Sequence, residues 1–438
     1  MNPEITTYIG YSASVFIVLS FILKDVRKIR VVNMIGCICF VIYGFFSGPL
    51  WPVIIPNGLI CFIQIYHLLL GKKADGKKII ISAFSNLYTD QRIEKICNTL
   101  YENGYQIDLI GNDWSGAAKM ERPYPFSRIH LASKNLKTAY FEFNWKLYHH
   151  LKKKADRNTI LYANDVDALV PNYLISRKLN IPLIFDSHEI FSEMPSVQGK
   201  MSQKLWRYVE KTVIPKLRLM ITASSSYAQW FHKKYGIEPI VVQNAPRRLN
   251  LTVKIPENNP KILLYQGAIN PFRGIDKVIL AMHHLDHVIL KIAGDGPKKK
   301  EYENLVTQEN LEHKVQFLGK LIPEDLRNIT VKADCGMSIE ENGGDSYFYS
   351  LPNKILDGIQ ARVPLILSGF PEMLKIKNQF DIGEIIEDHH PEHIAAAIQK
   401  VLQKGRISYQ HELEKAAEAL CWENEEVKLL QVIQKACQ

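Results

Sequence analysis

The chain has 438 residues, 47% of them hydrophobic, and a formal net charge of +9; that length carries two or three domains with large cores. The basic balance suits nucleic acid, anionic lipid or anionic small substrates, but no arginine-rich arm, zinc-finger spacing or basic–aromatic repeat is present, so nucleic acid is not expected as a partner. The seven cysteines (Cys37, Cys39, Cys61, Cys97, Cys335, Cys421 and Cys437) are scattered and form no CxxC pair. Neither a disulfide framework nor a zinc site is indicated, and the pattern reads as buried or idle thiols in a reducing compartment.

Three apolar runs open the chain, at residues 5–23, 31–46 and 50–70. Each is near the ~20 residues that span a bilayer, which predicts a three-helix transmembrane unit over residues 1–72. No charged segment precedes the first run, so a cleaved signal peptide is not expected. Lys24, Arg27, Lys28 and Arg30 lie between the first two runs, and Lys72, Lys73, Lys77 and Lys78 follow the third. The positive-inside rule then places the N-terminus outside and the remainder in the cytoplasm, as at a bacterial inner (cytoplasmic) membrane. Asn33 and Asn57 are polar positions within the runs; Asn57 reads either as a functional group or as one that satisfies a carbonyl near Pro56 or bridges to a neighbouring helix. Leu19-Ser20-Phe21, Tyr43-Gly44 and the stretch from Pro52 to Asn57 resemble the three-helix half-transporters of the SWEET/PQ-loop type, with Leu23-Lys24 near where that group carries Pro-Gln. Anchoring is the expected role, with self-association through this unit a further expectation.

From residue 78 the pattern changes to alternating strands and helices. Strands are expected at 78–82, 107–110, 159–162, 183–185, 219–222 and 239–242, with helices at 90–103, 167–178, 200–217 and 225–235. This alternation predicts a Rossmann-like domain over residues 78–246. Ligands of such sheets bind beyond the carboxyl ends of the strands, where Ser85-Asn86, Asn164-Asp165, Asp186-Ser187-His188-Glu189 and Asn244 arrive. His188 is the expected site residue, and Asn86, Asp165 and Glu189 are expected on the same side of the cleft. Asp165-Val166-Asp167 has a spacing that can hold a divalent metal, but Asp167 reads better as a helix N-cap, and no metal is expected. Lys152-Lys153-Lys154 and the run Lys204, Arg207, Lys211, Lys216 and Arg218 read either as faces for anionic lipid or as solvated helix faces.

Residues 247–260, with Pro256, Asn258, Asn259 and Pro260, read as a linker. A second strand–helix series predicts another Rossmann-like domain over 261–410, followed by one long helix in the segment 411–438. Within it, Ser350 is the expected N-cap of a helix with Pro352 in its first turn and Ile355, Leu356 and Ile359 on one face; Pro364 ends it before the strand 365–367. That N-terminus reads as a phosphate site or as an ordinary surface helix, and Asp357 stands where it could reach hydroxyls of a phosphate-bearing ligand. Two such domains leave a cleft between them.

Phe185-Asp186-Ser187-His188-Glu189, Tyr265-Gln266-Gly267-Ala268 with Arg273-Gly274, Ile292-Ala293-Gly294-Asp295-Gly296-Pro297 and Ser350-Leu351-Pro352-Asn353-Lys354 with Asp357 occur in that order. On these motifs residues 78–436 resemble a retaining glycosyltransferase of family four, with the two-domain GT-B fold. The resemblance implies a nucleotide diphosphate-sugar held mainly by the second domain, through Gly267, Arg273, Gly294, Ser350, Leu351, Asn353, Lys354 and Asp357. It assigns His188 and Arg273 to the reaction, with no cofactor and no metal. Asp357 takes the place of the family's second Glu; Tyr349 stands where the first is usual, so Glu340, Glu341 or Asp345 is expected to replace it at the sugar. Ala268 stands where the family commonly has Arg. The implied activity is membrane-anchored sugar transfer to a cell-envelope glycan, such as lipopolysaccharide, or to a lipid-linked acceptor. The alternatives are a nucleotide-sugar epimerase, or a transporter or scaffold with a nucleotide-sugar-binding domain.

Overall fold

The computed structural model describes residues 3–22, 26–69, 76–88, 90–116, 119–249 and 255–438. The chain forms two compact units that divide near residue 77.

The first unit contains α1 (Pro3–Ile22), α2 (Val26–Phe46) and α3 (Trp51–Leu69). Asn33 of α2 is its polar hub: its Nδ2 donates to Ser20 Oγ of α1 at 3.5 Å and its Oδ1 accepts from Gln64 Nε2 of α3 at 3.4 Å. Asn57 donates to the Val53 carbonyl of its own helix at 2.8 Å rather than to a neighbouring helix. Three spans were expected. Among the described residues one helix, over Ile29–Phe46, is long and apolar enough to cross a membrane, and Trp51–Ile65 is a shorter apolar stretch. Lys24, Lys72 and Lys73, on which the expected orientation partly rests, lie outside the described residues.

The second unit is built on two parallel sheets. The first comprises β1 (Lys78–Ala83), β2 (Gln106–Asn112), β3 (Phe126–Ile129), β4 (Thr159–Asn164), β5 (Leu183–Ser187), β6 (Leu219–Thr222) and β7 (Ile240–Val241), in the order β3-β2-β1-β4-β5-β6-β7. Its helices are α4 (Gln91–Glu102), α5 (Leu136–Lys154), α6 (Val166–Leu179), α7 (Met201–Val213) and α8 (Ser225–Tyr235). The central strand β1 reads Lys-Ile-Ile-Ile-Ser-Ala because helices cover both faces of a parallel sheet, so nearly every side chain is buried. Sequence reading missed β3, a four-residue edge strand with a polar, half-exposed pattern that carries no alternation.

The second sheet contains β8 (Lys261–Gln266), β9 (Val288–Ala293), β10 (Val315–Gly319), β11 (Cys335–Ser338), β12 (Leu365–Leu367) and β13 (Gly383–Ile385), in the order β10-β9-β8-β11-β12-β13. Around it lie α9 (Ile275–Ala281), α10 (Lys299–Gln308), α11 (Pro323–Lys332), α12 (Asp345–Phe348), α13 (Asn353–Gln360), α14 (Pro371–Gln379), α15 (Pro391–Lys404), α16 (Gln410–Ala419) and α17 (Trp422–Cys437). Both sheets are open and point the carboxyl ends of their strands at the cleft between them.

The single long helix expected at 411–438 is two helices. Leu420 (ψ 65°) and the extended Cys421 break it, and Gln360 Nε2 covers the freed carbonyls of Ala417 and Leu420. The break lets α17 return to the first domain. Trp422 is fully buried, and its Nε1 donates to Thr99 Oγ1 of α4 at 2.9 Å. Glu425 accepts from the Gln243 N–H at 2.9 Å, and Lys77 Nζ donates to the Cys437 carbonyl at 2.8 Å. Trp422→Ala removes the buried indole and leaves a cavity, a change that costs about 3–5 kcal/mol. The expected result is a clearly lowered midpoint in chemical denaturation followed by circular dichroism; an unchanged midpoint would show that α17 does not tie the domains.

Candidate functional site

The site is built around a carboxylate that touches no solvent. Glu340, two residues past β11, is fully buried. It accepts from Lys354 Nζ at 2.8 Å, Arg273 Nη1 at 3.3 Å and Ser338 Oγ at 2.7 Å. Burial alone would raise its pKa, but Lys354 and Arg273 overcome that and hold it at about 2. Two cations on one anion leave the cluster net positive. Tyrosine rings support both cations from behind: Arg273 lies 4.3 Å from the Tyr347 ring centroid and Lys354 lies 4.4 Å from that of Tyr265. The turn that delivers Arg273 is tight. Phe272 and Gly274 on either side have φ of 62° and 67°, and a Cβ on Gly274 would stand 2.3 Å from the Ile339 carbonyl oxygen.

Helix α13 begins at Asn353, with extended Pro352 at its cap and no side-chain cap. This corrects the expectation that Ser350 is the N-cap: its hydroxyl donates to the Tyr347 carbonyl at 2.8 Å. The uncapped first turn, with Pro352 offering no N–H, leaves the donors and positive end of the helix facing the cleft. One turn further along, half-buried Asp357 accepts from Gln266 Nε2 at 3.2 Å. Burial raises its pKa to about 6, with Lys95 opposing. Lys95 comes from α4 of the other domain. It donates to the carbonyls of Asn244 (3.0 Å) and Ala245 (2.7 Å), and burial lowers it to about 7.

Across the cleft, Asp186 at the end of β5 is buried. It accepts from Arg92 Nε (3.0 Å) and Nη2 (2.7 Å) and from the Tyr162 hydroxyl (2.7 Å). Burial opposes its ionisation, and Arg92 more than compensates, holding it below the usual carboxylate range. Asp165 occupies a strained conformation, φ 62° and ψ 167°. Its two oxygens meet the His188 N–H at 3.3 Å and His188 Nε2 at 3.1 Å. Among the described residues, His188 Nδ1 has no hydrogen-bond partner. Asp167 is buried inside α6 and does not cap it, contrary to expectation. Burial first, then mutual repulsion among the neighbouring acids, pushes Asp165 and Asp167 well above the normal range.

Two cavities meet here. One, of about 290 Å³, is lined by His188, Glu189, Gly267, Arg273, Ser350, Leu351, Asn353, Lys354 and Asp357, joined by Tyr227, Tyr265 and Tyr347. The other, of about 540 Å³, is lined by Asn86, Asp90, Asn164, Asp165 and Asp167 and shares His188, Glu189, Asn244 and Asn353 with the first. The first is basic and the second acidic. The structure therefore brings together most of the expected residues. Glu340 and Glu341 line neither cavity: Glu340 is the inward counter-ion of the two cations. Gly294 stands behind Gly267, where a Cβ would collide with the Gly267 carbonyl oxygen. Tyr349 lines neither cavity. Its ring packs against the first domain's core, and its carbonyl accepts from Ser224 Oγ at 3.0 Å. Sequence reading missed Lys95 and Tyr347 and quoted Tyr265 only within a motif, because their links to Asp357, Arg273 and Lys354 join segments far apart in the chain. Among the described residues, no three His, Cys, Asp or Glu side chains converge to hold a metal ion.

Residues 249–420 match the family model described as glycosyl transferases group 1, and residues 91–245 match that of glycosyltransferase family 4. An uncharacterized glycosyltransferase of Bacillus subtilis, YqgM, is 24% identical over 205 residues, 45% of this chain and 55% of that protein, so the match spans about half the relative's length. An uncharacterized protein of Haemophilus influenzae is 38% identical over 68 residues, 16% of this chain and 87% of that protein. Among solved structures, sucrose-phosphate synthase of Thermosynechococcus elongatus aligns with a TM-score of 0.68 at 15% identity, covering 82% of this chain and 98% of that one. HepE of Anabaena in complex with UDP-glucose aligns with a TM-score of 0.63 at 15% identity, covering 82% and 99%. The lipopolysaccharide outer core galactosyltransferase WaaB, in its apo form, aligns with a TM-score of 0.58 at 14% identity, covering 82% and 99%. At these identities the likenesses to solved structures show the shared fold.

The Glu340 cluster has a pH signature. Glu340 titrates at about 2 in the folded protein, against 4.5 for a freely solvated glutamate. Its stabilisation is therefore complete above the solvated value and is lost as pH falls through the folded one. Glu340→Gln is expected to lower stability at neutral pH and to flatten the acid limb of the unfolding profile. Superimposable acid profiles for the two proteins would overturn the pairing.

Proposed function

From a chain that carries the two domains of a GT-B glycosyltransferase, we infer an enzyme that moves a sugar from a nucleotide diphosphate-sugar to a cell-envelope glycan or lipid-linked acceptor. The observation that carries this reading is the basic cavity, where Arg273, Lys354 and the uncapped start of α13 converge below His188. Diphosphate is the leaving group of such a transfer, and negative charge grows on it as the glycosidic bond loosens. Preorganised cations and helix N–H groups stabilise that charge. Arg273 and Lys354 are held in place by Glu340 before any ligand arrives, so little reorganisation accompanies the reaction.

Asp357 accepts the ribose hydroxyls of the nucleotide. His188 orients the transferred sugar, with Asp165 fixing the ring. Transfer proceeds with retention: the diphosphate accepts the acceptor's proton on the face it leaves, and no protein nucleophile or metal takes part. The acceptor enters through the acidic cavity, past Asn86, Asp165 and Glu189. HepE was solved with UDP-glucose, which makes UDP-hexoses the first donors to try. Residues 1–72 anchor the enzyme in a bacterial cytoplasmic membrane, with the N-terminus outside and the catalytic domains in the cytoplasm.

The test is titration calorimetry of the full-length protein in detergent with UDP, GDP and ADP, followed by turnover of the corresponding sugars. Arg273→Ala and Asp357→Ala are each expected to weaken binding of the preferred nucleotide by at least about tenfold, the loss of one charge-assisted contact. Unchanged affinity in both variants would sink the donor assignment. Proton NMR of the product is expected to show the donor's anomeric configuration. Altered sugar released without any acceptor would identify an epimerase instead.

The raised carboxyl of Asp357 sets a pH dependence. Ribose hydroxyls bind best to its ionised form, so affinity is expected to fall as pH drops below about 6, approaching tenfold per pH unit. A flat affinity from about pH 8 to about pH 5 would remove Asp357 from the nucleotide site.

A further inference from the structure

Helices α5, α6 and α7 pack side by side on one face of the first sheet. Their inner faces interlock, with the rings of Tyr140 and Trp206 5.4 Å apart and edge to face. The outer faces are unusual for a solvated surface. On α5, Phe141 and Trp145 are 67% and 64% exposed. On α7, Met201, Leu205 and Tyr208 form a stripe at spacings of four and three, with Met201 74% and Tyr208 68% exposed. Such a stripe normally faces a core, yet this one has no partner within the described residues.

The charge on these helices is one-sided. They carry ten Lys and Arg but only three acids: Glu142, Asp167 and Glu210. Asp167 and Glu210 are buried. Both oxygens of Glu142 are taken by the Ala132 and Ser133 N–H groups, and Lys146 also binds it. The exposed side therefore presents apolar groups among Lys152, Lys153, Arg177, Lys178, Lys204 and Lys211, all exposed. A symmetric contact with a second copy would set these like charges against each other. A bilayer surface of anionic lipid complements both features: Trp and Tyr settle at headgroup depth, and each Lys near the phosphates contributes to binding.

We propose that the outer surface of α5, α6 and α7 docks onto an anionic bilayer, with Trp145, Met201 and Tyr208 entering the headgroup layer and the surrounding lysines meeting lipid phosphates. The proposal stands on residues 136–213 and does not rest on the anchoring reading of residues 1–72 or on the identity of the donor.

The test uses the full chain reconstituted into vesicles of brominated phosphatidylcholine, with and without phosphatidylglycerol. Trp145 fluorescence is isolated as the difference between the wild type and Trp145→Phe. Bromine quenching of Trp145 is expected to be at least about twofold stronger in the anionic vesicles and to disappear at about 1 M salt, where surface charge is screened. It is also expected to fall in the combined Lys152→Glu, Lys153→Glu, Lys204→Glu and Lys211→Glu variant; the salt titration needs no variant and stands if that protein folds poorly. Equal quenching in both lipids, with Trp145 as open to acrylamide as in detergent, would overturn the proposal. So would shielding of Trp145 that grows with protein concentration in detergent, because that would assign the surface to a second copy of the chain.

Discussion

The cleft depends on one buried carboxylate. Glu340 could not remain ionised at its depth without two cations in contact, and neither cation would be so fixed without it. The cluster explains why Arg273, from the turn before α9, and Lys354, from the first turn of α13, arrive at the same place. It also explains the strained turn at Phe272 and Gly274, which is tolerated because the Arg273 it delivers has a buried partner. The residual positive charge faces the cavity, where the uncapped end of α13 adds to it.

The first domain has a matching device with the opposite outcome. Arg92 and Tyr162 neutralise Asp186, so the buried pair contributes no free charge to the cleft. What remains around His188 is acidic: Asp90, Asp165, Asp167 and Glu189. The two halves thus differ in chemistry, with cations and helix N–H donors on one wall and carboxyl groups on the other. His188 and Glu189 stand where the two cavities join. Contacts across the cleft hold the walls in register, among them Ser225 and Ser226 on Glu372 and the Tyr227 hydroxyl on the Ser346 carbonyl.

The departure at Tyr349 takes on a different meaning in the folded chain. At the position where a glutamate is usual for the resembling family, the side chain turns away from the cavity and packs on the first domain. Ser224 donates to its carbonyl and α12 precedes it, so the segment serves as a contact between the two domains. Of the three acids expected to replace the usual glutamate, Glu340 is committed inward, Glu341 lines neither cavity, and Asp345 accepts from Trp230 Nε1 at 2.8 Å and lines neither cavity as well. The wall of the first cavity is therefore formed by His188, Tyr347 and the segment from Ser350 to Asn353, with no second acid beside Asp357 on the α13 side.

Much of the architecture was legible from residues alone. Runs such as Lys261–Gln266 and Val288–Ala293 are apolar over nearly their whole length because both faces of a parallel strand are covered, and the helices between them keep their period. The polar strand ends were legible for the same reason: Asp186, His188 and Asn164 interrupt apolar runs where the sheet stops. Short or polar elements such as β3 and α12 were not, because no period develops over four residues. The break before Trp422 was also hidden, since helical spacing continues through it and only docking on α4 ends the helix. Sequence by itself determined two strand–helix domains, the order of the motifs and the residues near the cleft. Tertiary structure alone decided the direction each of those residues faces. Lys95 entering from the far domain, Glu340 turned inward and Tyr349 turned away depend on contacts between segments far apart in the chain, which no local pattern encodes.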